Sequence, residues 1–193
     1  MRSITTIGIV LVLLLMLFMG GCSSYNGFVD SEENLDQAWA DVQTQYQRRA
    51  DLISNLAATV KAAAANEKDI LIGVTDARTG ASNYKELIAK AETPQDLESI
   101  GQKVNSQISV IFERYPEIRS TSNFSELQTD LSGTENRIAV ARQRFNQQAT
   151  DYNKKVRRFP GSFFASIFGF SEKAHFESQI GAEDAPDLND ILK

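Results

Sequence analysis

Apolar and aromatic side chains recur with an unbroken 4,3 spacing through Leu35, Trp39, Val42, Tyr46, Arg49, Ile53, Leu56, Val60, Ala63, Glu67, Ile70, Val74, Ala77, Ala81, Tyr84 and Ile88. Only Arg49 and Glu67 interrupt the stripe, so the pattern predicts a helical face turned toward partner helices over roughly sixty residues. No β-type alternation of any length appears between Val29 and Arg158, where Ala, Gln, Glu, Lys, Arg and Leu dominate. Asp30 followed by Glu33 reads as a capping box that starts the first helix. Thr93-Pro94-Gln95-Asp96 marks another start, with Thr93 as N-cap and Pro94 in the first turn. Leu97, Ile100, Val104, Ile108, Ile111 and Tyr115 form that helix's inner face, and Tyr115-Pro116 ends it. Asn123-Phe124-Ser125-Glu126 repeats the capping pattern before a face of Phe124, Leu127, Leu131, Ile138, Ala141, Phe145, Tyr152 and Val156. Phe159-Pro160-Gly161 stops this last long helix.

A single helix of some sixty residues would leave much of its stripe wet. Breaking it near Asn66 gives helices of about 36, 26, 22 and 36 residues, whose outer and inner pairs match in length as an up-and-down bundle requires. The predicted fold is therefore all-α: an antiparallel up-and-down four-helix bundle with long helices over residues 29–158.

The chain's first 21 residues carry Arg2 and then an apolar run from Ile4 to Met19, followed by Gly20-Gly21-Cys22-Ser23-Ser24. This is the layout of a secretory signal peptide. The small residues before Cys22 also resemble the lipobox of bacterial lipoproteins, although Leu is more usual where Met19 stands. Cys22 is thus the candidate lipidation site, 22–28 an anchor linker, and the membrane a partner held through acyl chains. An uncleaved transmembrane helix is the competing reading; an apolar core of about 16 residues falls short of the ~20 that span a bilayer. Ser23 after the cysteine suggests sorting to the outer membrane, on its periplasmic face, in a Gram-negative cell.

Beyond Pro160 the character changes. Phe163, Phe164, Ile167, Phe168 and Phe170 crowd between Gly161 and Phe170. The segment 159–176 is expected to cap one end of the bundle or to contact lipid or a partner, since so many large apolar groups on two turns cannot all face inward. The acidic stretch 177–193 is expected to be a flexible tail.

Composition narrows the chemistry. With one Cys and one His in 193 residues, neither a disulfide framework nor a multi-histidine metal site can form within the chain. Removing residues 1–21 takes away Arg2 and no acid, leaving 19 basic against 25 acidic residues, and no basic cluster long enough to suggest nucleic acid. Glu172 and His175 match half of a di-metal motif, but such sites need two copies from separate helices. No metal and no cofactor is expected. The polar residues on apolar faces are Arg48, Arg49, Asp51 and Glu67, with Glu135, Asn136, Arg137, Arg142 and Asn146. They predict an internal network fixing register between the first and last helices. A ligand-binding or catalytic cluster is the alternative, one without a nucleophile to complete a mechanism. Protein partners along the helical face are a further expectation.

The same residues carry a likeness to a family. Gln47-Arg48-Arg49-Ala50-Asp51-Leu52-Ile53-Ser54-Asn55-Leu56 with Val60-Lys61, then Tyr115-Pro116-Glu117-Ile118-Arg119, Asn123-Phe124, Glu135-Asn136-Arg137-Ile138-Ala139 with Ala141-Arg142 and Asn146, Tyr152-Asn153 and Phe159-Pro160 resemble the LemA family of bacterial membrane-associated proteins. The likeness runs in order from about Tyr25 to Phe176. The family typically has Pro where this chain has Ser54 and His where it has Asn66, and it usually keeps an N-terminal membrane segment in place of a lipobox. The resemblance implies an antiparallel four-helix bundle, membrane attachment and no established enzymatic activity. A branch associated with forming intracellular membrane compartments points to a scaffold or membrane-organising role.

Overall fold

The computed structural model describes residues 2–63, 68–114 and 122–177. Among them are five helices and no strand: α1 (Arg2–Ala63), α2 (Lys68–Lys90), α3 (Pro94–Arg114), α4 (Ser122–Arg157) and the short α5 (Gly161–Phe168). The fold is all-helical. The expected break near Asn66, Glu67 in the stripe, Tyr115-Pro116 and the tail beyond Glu177 lie outside the described residues.

Two expected helix starts are corrected. α1 runs from Arg2, so Asp30 stands in mid-helix, and residues 22–28, expected as a linker, are helical. The physical reason is propagation. The apolar run is itself a good helix former, and once nucleated the helix gains a hydrogen bond for each residue added. Asp30 then has no unpaired amides to cap; instead its carbonyl accepts from Asn34 Nδ2 at 2.7 Å. At the other end of the chain α4 begins at Ser122, which places Asn123 inside the helix and not at its cap.

The start of α3 follows its sequence signature. Thr93 Oγ1 accepts from the Asp96 amide at 3.2 Å, while Asp96 Oδ2 accepts from the Thr93 amide at 3.0 Å. The two residues thereby satisfy donors that the first helical turn leaves open. α2 is finished from outside: Gln43 Nε2 on α1 donates to the carbonyls of Ile88 and Ala91 at 3.0 and 3.3 Å.

Contacting pairs give the helix directions. On α1, Asp51 pairs with Lys85 while Gln43 reaches Ile88, so α1 and α2 are antiparallel. Lys155 reaches Ser31 and Arg49 faces Glu135, so α1 and α4 are antiparallel as well. Glu98 meets Arg142 and Phe112 meets Phe124, giving the same sense to α3 and α4. The expected stripe forms the core: Leu35, Val42, Tyr46, Ile53, Leu56 and Val60 are buried with Leu97, Ile100 and Val104 of α3 and Ile138, Phe145 and Tyr152 of α4. Because α1 has neighbours on two sides, it also buries Ala38, Ala50, Leu52 and Ala57, which the 4,3 stripe omits.

Two glycines test this packing in opposite directions. A Cβ on Gly101 of α3 would sit 2.6 Å from Tyr46 Cε1, whereas one on Gly133 of α4 would meet nothing within 4 Å. In denaturant melts of the full chain in detergent, Gly133→Ala should stabilise by about 0.5–1 kcal/mol through helix propensity. Gly101→Ala should destabilise by about 1–3 kcal/mol through overpacking.

Candidate functional site

Three features lie on the surface built by α1 and α4. The first is an extended strap, Gly169 to Glu177, running back along α4 after α5. Two asparagines of α4 hold it. Asn153 Nδ2 donates to the Lys173 carbonyl at 2.9 Å while its Oδ1 accepts from the Lys173 amide at 2.9 Å. Asn146 does the same for Phe176, at 2.9 and 2.8 Å. The spacings agree for a geometric reason: seven helical residues advance about 10.5 Å and three extended residues about 10 Å, so two amides two turns apart meet alternate stretches of one strand. Between them they satisfy the backbone donors and acceptors of Lys173 and Phe176 without a sheet. Phe176 is buried, stacked on Trp39 at 6.0 Å and edge-on to Phe145 at 5.3 Å, with the Arg142 guanidinium over its ring at 4.8 Å. Lys173 donates to Glu32 at 2.6 Å and lies 5.7 Å from the Tyr152 ring. The Glu32 carboxylate raises the Lys173 ammonium above its ordinary range, and burial raises the Tyr152 hydroxyl.

The second feature is a charged cleft of about 480 Å³ between α1, α3 and α4, lined by Tyr46, Arg49, Glu98, Gly101, Gln102, Asn105, Glu135, Ile138, Ala139, Arg142 and Glu177. It revises the expected polar network. Arg142 pairs with Glu98 of α3, not with α1, and also donates to the Glu177 carbonyl at 3.0 Å. Arg49 is 12% exposed and lies 3.8 Å from Glu135, which is 68% exposed, so this pair is wet on one side. Arg48, Asn136 and Arg137 are exposed, Asp51 pairs with Lys85 of α2, and Asn146 serves the strap. Positions 135–137 lie off the apolar face that Leu131, Ile138 and Ala141 define on α4, and their side chains are exposed. Burial raises the Tyr46 hydroxyl, partly offset by Arg142.

No cluster of His, Cys, Asp or Glu able to hold a metal exists among the described residues. Glu172 and His175 take separate partners: Glu172 faces Arg157 at 3.5 Å and His175 Nε2 lies 3.1 Å from Thr150 Oγ1. The Thr150 hydroxyl donates to the Asn146 carbonyl at 2.8 Å, which leaves it to accept from a protonated Nε2.

The third feature is the end where α1 leaves its apolar stretch. The helix that carries that stretch is long and apolar enough to cross a membrane by length and composition, a test that a signal sequence near the N-terminus passes equally. Cys22 is exposed on α1. α5 divides its crowded aromatics: Phe164 and Ala165 are buried, Phe163 and Ile167 are exposed, and Phe168, one turn on from Phe164 and stacked on it at 6.3 Å, is partly exposed beside α1. Phe164 Cε1 would lie 3.3 Å from a Cβ on Gly21, and Phe168 packs edge-on to Tyr25 at 5.2 Å. Phe170 continues the contact at 5.0 Å from Phe28. Gly20 and Gly21, which cover Phe164, belong to the expected signal peptide. An apolar groove of about 500 Å³ runs beside Cys22, lined by Phe18, Gly21, Tyr25, Asn26, Phe164, Ile167 and Phe168.

An all-helical body extended from an N-terminal apolar helix, and closed by an asparagine-held strap, is the class these features define. The LemA family profile matches residues 38–189, and the chain belongs to the LemA family. It is similar to magnetosome protein MamQ 2 of Paramagnetospirillum magneticum, 26% identical over 84% of this chain and 67% of that protein. MamQ of Magnetospirillum gryphiswaldense has the same identity and coverage. Protein LemA of Metamycoplasma hominis is 22% identical over 61% of this chain and 60% of its own length.

Several functional positions escaped the sequence reading. Lys173 and Phe176 gave no signal of their own, and Asn146 and Asn153 stood among the residues of the family likeness with nothing to tie them to a strap. Replacing either asparagine by Ala should free one backbone donor and one acceptor of the strap, at a cost of about 1–3 kcal/mol. Amide exchange at Lys173 and Phe176 should accelerate, whereas Glu135→Ala, on a wet pair, should cost under ~1 kcal/mol. The raised Tyr152 and Lys173 values favour the protonated forms in the folded chain. Their contribution is therefore complete below the ordinary tyrosine and lysine range and is lost as pH climbs above about 10. Trp39 emission, reporting contact with Phe176, should shift over that alkaline range and stay flat between pH 6 and pH 9.

Proposed function

We propose that this protein is a lipid-anchored component of the cell envelope, acylated at Cys22, whose helices α1 to α4 form one antiparallel up-and-down bundle that acts as a scaffold or membrane organiser without catalysis. The observation that carries this reading is the coincidence, at one height on α1, of the end of the apolar stretch, the exposed Cys22 and the outer apolar face of α5. Such a coincidence is what a body seated on a bilayer surface requires. Similarity to proteins named for the magnetosome supports a structural role. The charged cleft fits the same reading, since its Glu98 and Glu135 pair with Arg142 and Arg49 and no His, Cys or Lys lines it to act as a nucleophile.

On this reading signal removal uncovers Phe164, and the acyl chains of Cys22 take the place of Gly20 and Gly21 beside it. Outer-membrane placement on the periplasmic face and protein partners along the exposed helical faces belong to the same proposal. The test is incorporation of labelled fatty acid. The wild type should be labelled and membrane-bound; Cys22→Ser should be unlabelled and accumulate as uncleaved precursor or released protein. A wild type that never takes up label would remove the lipoprotein assignment and leave α1 as a membrane-spanning anchor.

A further inference from the structure

We propose that the last turn of α4 and the outer face of α5 form a seat for anionic phospholipid headgroups. This rests on the membrane-anchored reading above and adds the class of lipid that the protein contacts.

The α4 terminus reads Lys154-Lys155-Val156-Arg157-Arg158, followed at once by Phe159 and then α5. Four cations thus precede an apolar surface on which Phe159 is 87%, Phe163 56% and Ile167 60% exposed. Their height is set by α1. Lys155 Nζ reaches the Gly27 carbonyl at 3.3 Å and the Ser31 hydroxyl, and Gly27 stands only five residues above Cys22, about 7.5 Å along the helix. That is within the roughly 8–10 Å over which charge is felt at ordinary ionic strength. Phe164 meanwhile touches Gly20 and Gly21, on the membrane side of Cys22. The basic turn therefore lies in the headgroup layer when α5 lies at its lower boundary.

Nearby acids leave the patch positive. Lys154 pairs with Asp151 at 3.2 Å and Arg157 with Glu172 at 3.5 Å, all four side chains being at least half exposed, so these pairs are loose and exchangeable. Lys155 contacts oxygens that carry no charge. Arg158 makes no side-chain ion pair or hydrogen bond among the described residues. Asp30 and Glu33 of α1 lie further from the apolar stretch than Gly27 does. The arrangement is notable because the chain as a whole is acidic, with 25 Asp and Glu against 20 Lys and Arg. A net-negative body approaching an anionic bilayer is repelled unless its cations are gathered at the contact end, and here they are.

The experiment uses the full chain reconstituted in phosphatidylcholine vesicles, with and without phosphatidylglycerol, and reads amide hydrogen exchange across residues 158–170. Phosphatidylglycerol should slow exchange in α5 beyond the level in phosphatidylcholine, by roughly fivefold for each cation engaged. Added salt should erase the difference. Arg157→Gln with Arg158→Gln should also reduce it while leaving exchange in α3 unchanged; if that variant fails to fold, the salt series on the wild type decides alone. Equal protection of α5 in both lipids overturns the headgroup inference but leaves α5 at the membrane boundary. No protection in either lipid, relative to detergent, overturns both.

Discussion

The register of α4 on α1 governs the rest of the molecule. Ser31 stands opposite Lys155 and Arg49 opposite Glu135, so the two helices slide past one another without freedom to shift by a turn. Both advance by the same rise per residue, and a single register therefore sets the height of everything attached to their ends. α4 stops level with Gly27, which leaves α5 no space but the flank of α1 around Gly20 to Tyr25. The strap then has to climb back along α4, and it meets Asn153 before Asn146 because the chain leaves α5 from the low end.

This arrangement puts polar side chains where apolar ones would bury more surface. Asn153 is 8% exposed and Tyr152 beside it is fully buried, so an unpaired amide at that position would carry a desolvation cost. The strap backbone supplies both its partners, and the amide supplies both of the strap's. Neither element is satisfied alone, which makes the pairing specific to one strap register in a way that Phe176 packing on Trp39 and Phe145 is not. Lys173 adds a long-range tie between the strap and Glu32 on α1, so that three separate stretches of chain close over one seam.

The Cys22 end carries a tension that bears on the proposed lipidation. Phe164 packs against two glycines whose small size admits its ring, and those glycines stand immediately before Cys22. Cleavage before a lipidated Cys22 would expose that ring beside newly attached acyl chains. An apolar side chain losing a protein neighbour in lipid suffers far less than one losing it in water. On the proposed reading the aromatic helix would suit the anchor before and after processing, with Phe164 packed against α1 and Phe163 and Ile167 left exposed.

Much of the helical architecture was legible in the residues. The 4,3 stripe picked out Val42, Tyr46, Ile53 and Leu56, and Thr93-Pro94 marked the start of α3, because helical periodicity and capping are local consequences of side-chain type and spacing. The start of α1 was misplaced at Asp30, since a capping signature has meaning only where a helix begins and nothing local stops this one from extending upstream. The polar cluster divided only in three dimensions. Arg142 turned to Glu98 on α3, Glu135 to solvent and Asn146 to a strap thirty residues later in the chain. Likewise, Lys154 to Arg158 is a modest basic run in an acidic sequence until α4's register brings it beside Gly27, close above Cys22. Local propensity determined which stretches became helices and which faces turned inward; only the tertiary packing decided which polar group met which partner and which charges stood beside Gly27, because those are distances between residues far apart in sequence.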